Sequence, residues 1–168
     1  MCASSSNRLS AVWYAPEMTL YSLFTKYDEN DDGQLNEKEL MNLLRNEMGL
    51  TLDQVEIYLY LLDKNGNGLI SFEEFKDWYN SDEELKTVRD NSRYQIIKNA
   101  IELFKKFDVD HSYALDREEL QKVIQEFGGD PKSVDEALRQ LDSDQNGKIS
   151  FQEFLRWLNW VPVEELFF

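Results

Sequence analysis

Residues 63–74 read DKNGNGLISFEE. Asp63, Asn65, Asn67, Ser71 and Glu74 put oxygen-bearing side chains at the first, third, fifth, ninth and twelfth places. Gly68 holds the sixth place, where a sharp turn with positive φ costs a glycine least. The same frame recurs as DENDDGQLNEKE from Asp28, DVDHSYALDREE from Asp108 and DSDQNGKISFQE from Asp142. Each copy spans twelve residues, begins with Asp and ends with Glu. The starts lie 35, 45 and 34 residues apart, which groups the copies into two close pairs.

Four such copies outweigh the reading of each as a polar turn, and the pattern resembles the EF-hand calcium loop. Calcium is a hard cation that takes about six to eight oxygens at roughly 2.3–2.6 Å, and a twelve-residue loop can wrap that sphere. The resemblance implies that the first loop binds through Asp28, Asn30, Asp32, the Gln34 carbonyl and Glu39, with Gly33 at the turn. The second set is Asp63, Asn65, Asn67, the Leu69 carbonyl and Glu74. The fourth is Asp142, Asp144, Asn146, the Lys148 carbonyl and Glu153, around Gly147. Asn36, Ser71 and Ser150 stand at the ninth place, where a bridging water is often used.

The third loop departs from its sisters. It offers Asp108, Asp110, Ser112, the Ala114 carbonyl and Glu119, but Tyr113 replaces the glycine. A side chain held in a left-handed backbone costs about 1–2 kcal/mol. A loss of about 1.4–2.8 kcal/mol is a ten- to hundredfold weaker site. Three Ca2+ ions are therefore expected, with the third loop weak or silent.

The flanking segments carry apolar residues at helical spacing. Leu20, Leu23, Phe24 and Tyr27 precede the first loop, and Val55, Tyr58, Leu59 and Leu62 the second. Ala100, Leu103, Phe104 and Phe107 precede the third, and Val134, Ala137, Leu138 and Leu141 the fourth. These stripes read as core. Asn36, Ser71, Asp116 and Ser150 each stand three residues before the closing Glu, as in a capping box that starts the exit helix. Leu35, Ile70, Leu115 and Ile149 suit a short strand that pairs the loops.

The expected fold class is all-α: four EF-hand helix–loop–helix units paired into two lobes, with a two-stranded β pairing in each. The resemblance covers roughly residues 19 to 160. The boundaries are an N-terminal arm over 1–18, a first pair over 19–80, and a partly helical linker over 81–98. A second pair follows over 99–161, and an apolar tail over 162–168. Ser81 with Glu84 reads as a further capping box, and Pro162 ends the last helix. For the tail, with Val163, Leu166, Phe167 and Phe168, three readings stand: a plug for the second lobe's groove, a partner-binding segment, and a structural clasp.

Thirty-three acidic residues against 18 basic ones give a formal net charge of -15, which excludes the basic footprint of a nucleic-acid binder. No run approaches the roughly 18 apolar residues of a membrane span, and the N-terminal stretch lacks a signal-peptide core. Cys2 is the only cysteine, so an internal disulfide is excluded and a reducing, cytoplasmic setting is expected. The sole histidine, His111, stands inside the third loop, without the three or four N and S ligands that zinc requires. No catalytic constellation or phosphate-cradling glycine loop is present, so an enzyme is not expected.

Two roles follow from the resemblance: a calcium buffer or specialised calcium sensor, and a calmodulin-like sensor that exposes a groove and regulates a target protein or helix. The four methionines are Met1, Met18, Met41 and Met48, none in the C-terminal half. That departs from the Met-rich surfaces of promiscuous sensors and favours the first role.

Overall fold

The computed structural model describes residues 17–81 and 91–158. The described residues divide into two compact units, and residues 63–68 of the second loop pack with the second of them. In chain order, the first half runs α1 (Glu17–Tyr27), β1 (Gln34–Leu35), α2 (Glu37–Met48), α3 (Leu52–Leu62), β2 (Ile70–Ser71) and α4 (Phe72–Asn80). The second half runs α5 (Asn91–Phe107), β3 (Ala114–Leu115), α6 (Arg117–Glu126), a 3-10 turn (Pro131–Ser133), α7 (Val134–Leu141), β4 (Ile149–Ser150) and α8 (Phe151–Leu158). This is the expected all-α architecture: each loop is bounded by two helices, and each strand pair joins two loops.

The strand pairs follow the eighth-place residues. Leu35 lies opposite Ile70 and Leu115 opposite Ile149, in antiparallel register. All four side chains are buried, so each ribbon also contributes to a core. Helix starts follow the same repeat. Asn36, Ser71 and Asp116 form reciprocal capping boxes with Glu39, Glu74 and Glu119. Ser150 and Glu153 exchange the same two bonds, Ser150 N–H to Glu153 at 3.0 Å and Glu153 N–H to Ser150 Oγ at 3.4 Å. At the other end of α2, Gly49 adopts a left-handed conformation (φ 69°); its N–H donates to the Arg45 carbonyl and the Leu50 N–H to that of Leu44.

The first core gathers the predicted stripes. Phe24, Leu40, Leu43, Leu44, Tyr58, Leu62, Phe75 and Trp78 are nearly or wholly excluded from solvent. Phe75 stands at its centre, with ring centroids 5.7 Å from Phe24 and 5.8 Å from Trp78. In the second core, Phe104 meets Phe151 at 5.5 Å and Phe154 at 5.4 Å, both edge-on, the geometry that ring quadrupoles favour. Leu115, Leu120, Val123 and Ile149 complete the layer.

Two helices depart from a single-stripe reading. In α3, Ile57, Tyr60 and Leu61 are buried in addition to the predicted Val55, Tyr58, Leu59 and Leu62. In α7 only Val134 of the predicted stripe is buried, and Ala137, Leu138 and Leu141 are half-exposed. α5 begins at Asn91, within the stretch expected to be a partly helical linker. Residues 1–16 of the N-terminal arm, Glu84 of the predicted Ser81–Glu84 cap and the apolar tail lie outside the described residues, whereas Glu17 and Met18 already belong to α1 and the Ser81 hydroxyl donates to the Trp78 carbonyl at the end of α4.

Phe104→Ala removes the ring that joins α5 to α8 and should cost about 3–5 kcal/mol, as for other buried aromatic truncations. Chemical denaturation of the full chain, with and without calcium, measures the loss.

Candidate metal centres

The four loops share one hydrogen-bond scheme, set by their first and last residues. The first-place aspartate accepts two backbone N–H groups from the turn. Asp28 takes those of Asp32 (3.2 Å) and Gly33 (2.9 Å), and Asp63 those of Asn67 (3.1 Å) and Gly68 (2.8 Å). Asp108 takes those of Ser112 (2.9 Å) and Tyr113 (3.1 Å), and Asp142 those of Asn146 (3.1 Å) and Gly147 (2.8 Å). The third-place residues Asn30, Asn65, Asp110 and Asp144 each accept the fifth-place N–H.

The closing glutamates Glu39, Glu74, Glu119 and Glu153 are buried. Each reaches back to its N-cap residue through the capping box. Glu39 also accepts the N–H of its loop's second residue, Glu29 (3.0 Å), as Glu119 does that of Val109 (2.8 Å) and Glu153 that of Ser143 (2.6 Å). One carboxylate thus ties the start of the loop to the start of the exit helix.

The turn is left-handed at two places in every loop. The sixth place has φ 81° at Gly33, 77° at Gly68, 65° at Tyr113 and 82° at Gly147. Tyr113 therefore keeps the conformation that glycine serves elsewhere, at the steric cost expected of it. The fourth place is also left-handed: Asp31 (φ 57°), Gly66 (φ 65°), His111 (φ 56°) and Gln145 (φ 60°). The ligand frame does not mark this position. The residue types offered a partial signal, since Gly, Asp and His tolerate this region better than most. His111 thus has a backbone role in the turn.

The third loop differs at its fifth place. Asp32 and Asn146 each accept the seventh-place N–H, from Gln34 and Lys148, both at 2.8 Å. Ser112 instead donates its hydroxyl to the Ala114 carbonyl at 3.0 Å. The predicted fifth- and seventh-place oxygens of this loop are therefore bonded to each other.

In the second unit, carboxylates converge in groups of three. Oxygens of Asp108, Asp110 and Glu119 lie within 4.8 Å of one another, as do those of Asp142, Asp144 and Glu153. Burial pushes the Asp108 and Asp144 carboxyls above the ordinary carboxylate range, against the pull of the backbone N–H groups they accept. The Ser112 hydroxyl, whose one proton is within reach of both the Ala114 carbonyl and Asp110, draws Asp110 below it, together with the Ser112 N–H. Partly desolvated carboxylates that converge without a histidine or cysteine among them fit a hard divalent cation such as calcium.

Comparison with known proteins agrees with this geometry. The family described as EF-hand domain pair matches residues 17–80 and 97–158. The chain is 31% identical over 141 residues to the probable calcium-binding protein CML25 of Arabidopsis thaliana, covering 80% of this chain and 70% of that protein. It is 32% identical over 152 residues to the probable calcium-binding protein CML11 of Oryza sativa subsp. japonica, covering 88% and 69%. It is also 30% identical over 138 residues to calcium-dependent protein kinase 21 of Arabidopsis thaliana, where the match covers 80% of this chain and 24% of the kinase. Repeat, loop scheme and family match together place this chain in the EF-hand family of calcium-binding proteins, with two EF-hand domain pairs and a calmodulin-like organisation.

Proposed function

We propose that this protein binds calcium through its first, second and fourth loops and works as a buffer or as a sensor with one specialised partner. The observation that carries the reading is the loop scheme, in which Asp28, Asp63, Asp108 and Asp142 each accept the N–H of the sixth-place residue. The residues that would hold the ions are Asp28, Asn30, Asp32, Glu39 and the Gln34 carbonyl; Asp63, Asn65, Asn67, Glu74 and the Leu69 carbonyl; and Asp142, Asp144, Asn146, Glu153 and the Lys148 carbonyl. Calcium supplies two positive charges and a demand for oxygen ligands. The chain's part is to hold its carboxylates together in spite of their mutual repulsion, which the backbone N–H groups of each turn make less costly. The two pairs, over 19–80 and 99–161, are the proposed working units.

The third loop is proposed to bind weakly. Tyr113 carries the left-handed strain and Ser112 is committed to Ala114, while Asp108, Asp110 and Glu119 are in place. Binding rather than catalysis is the proposed activity, in a cytoplasmic setting consistent with the single cysteine. Among the described residues no helix is long and apolar enough to cross a membrane.

The calmodulin-like reading, a sensor that grips a target, has one observation in its favour. Met18 is 83% exposed, and Tyr21 beside it is also exposed. Met41 and Met48, by contrast, pack against the first core, which favours the buffer or specialised sensor. Calcium titration in the presence of a hydrophobic dye separates the two: a steep rise in dye binding identifies the groove-exposing sensor.

Isothermal calorimetry should find three strong sites. Glu153→Gln should remove the fourth-loop site and leave those of the first pair near normal. Tyr113→Gly relieves the left-handed strain and should strengthen the third loop by about 1–2 kcal/mol, or roughly five- to thirtyfold in affinity. Ser112→Asp, added to it, should strengthen that loop further by freeing the Ala114 carbonyl.

A further inference from the structure

The first and third hands share an interhelical ion pair. Lys26, in the last turn of α1, donates to Glu47 Oε1 in the last turn of α2 over 2.6 Å, and the Tyr27 hydroxyl donates to the same oxygen over 2.7 Å. Lys106, in the last turn of α5, pairs with Glu126, the last residue of α6. Both lysines stand two residues before the first aspartate of their loops. The second and fourth hands hold Leu61 and Gln140 at that place. Leu61 is buried, and the Gln140 amide donates to Glu136 within its own helix.

The position of these pairs gives them leverage. The first-place aspartate follows the incoming helix directly, whereas the closing glutamate lies in the first turn of the exit helix. A tie between the two helices therefore fixes Glu39 relative to Asp28, and Glu119 relative to Asp108. In the third hand, the arrangement so tied is the one in which Asp108, Asp110 and Glu119 converge. We propose that Lys26 with Glu47, and Lys106 with Glu126, are positioning residues: interhelical braces that hold the odd-numbered hands in their ion-accepting arrangement and so strengthen calcium binding there. The proposal rests on the reading of these loops as calcium sites. Phe107 has no hydroxyl where Tyr27 has one, so the third hand's brace lacks the second donor and is the weaker of the two.

The test is a residue-resolved NMR calcium titration of the full chain, with the Gly33 amide reporting the first hand and the Tyr113 amide the third. Four forms are compared for the first hand: wild type, Lys26→Gln, Glu47→Gln and the exchange Lys26→Glu with Glu47→Lys. Bulk electrostatics in a chain of net charge -15 predicts opposite effects from the two single changes, since one removes a cation and the other an anion. The brace predicts that both weaken the first hand, by about two- to fivefold for exposed pairs of this kind, and that the exchange restores it. Lys106→Gln and Glu126→Gln should weaken the third hand in the same sense. Single changes of opposite sign, unchanged affinities, or an exchange that restores nothing would overturn the brace. A wild-type chain that binds no calcium would overturn the calcium reading itself, which the same titration shows directly.

Discussion

Each hand depends on one buried carboxylate, the glutamate at the twelfth place of its loop. It closes the capping box that starts the exit helix and, as at Glu39, Glu119 and Glu153, holds the N–H of the loop's second residue. Burying an ionised carboxylate is costly unless its oxygens are hydrogen-bonded, and backbone donors meet both oxygens of Glu39, Glu119 and Glu153. The same group starts a helix, closes a loop and faces the ion site, so no part of the hand can be altered independently of it. This coupling explains why the twelve-residue spacing is kept in all four copies, even where the sixth place has changed.

The opposing aspartate performs the complementary task at the other end. Two turn N–H groups aimed at one carboxylate form a small anion-binding concavity of the kind made by successive backbone amides. It fixes the turn from within the chain, and the left-handed residues at the fourth and sixth places are the backbone consequence. The third loop shows how robust this scheme is. Tyr113 donates to Asp108 through its backbone as Gly33 does to Asp28, so the steric cost is borne without loss of the turn. What changes is the commitment of the fifth- and seventh-place oxygens, through the bond from Ser112 to Ala114.

Much of this was legible in the sequence because the repeat encodes geometry directly. The residues Leu35, Ile70, Leu115 and Ile149 marked the strand pairs, and Asn36, Ser71, Asp116 and Ser150 marked the helix starts. Both signals are local, and both recur at fixed offsets from the loop. Less was legible where burial depends on distant packing. The burial of Ile57, Tyr60 and Leu61 beyond the predicted stripe of α3 is tertiary, and so is the half-exposure of Ala137 and Leu138 in a helix with an apparently equal stripe. The interhelical ion pairs were equally hidden, since Lys26 and Glu47 become neighbours only once α1 and α2 have taken their angle. The fourth-place turn is not marked by the ligand frame, because Asp31, His111 and Gln145 adopt the same left-handed backbone as Gly66.

The hydrogen bonds of the turns also bear on how the protein ages chemically. Asn65–Gly66, Asn67–Gly68 and Asn146–Gly147 are asparaginyl–glycyl sequences, in which the glycine nitrogen can attack the neighbouring side-chain amide, releasing ammonia and forming a cyclic imide. In the folded loops the nitrogens of Gly68 and Gly147, which follow the fifth-place asparagines, donate to Asp63 and Asp142 at 2.8 Å and are held to a carboxylate instead of being free to turn on the amide. The bond that shapes the turn therefore also guards it against deamidation. Wherever a loop is unfolded long enough for the cyclisation, hydrolysis of the imide leaves a carboxylate at the fifth place, partly through an isomerised backbone one atom longer. Each such event alters both the charge and the reach of the loop, so the integrity of these two turns over time depends on how seldom they open.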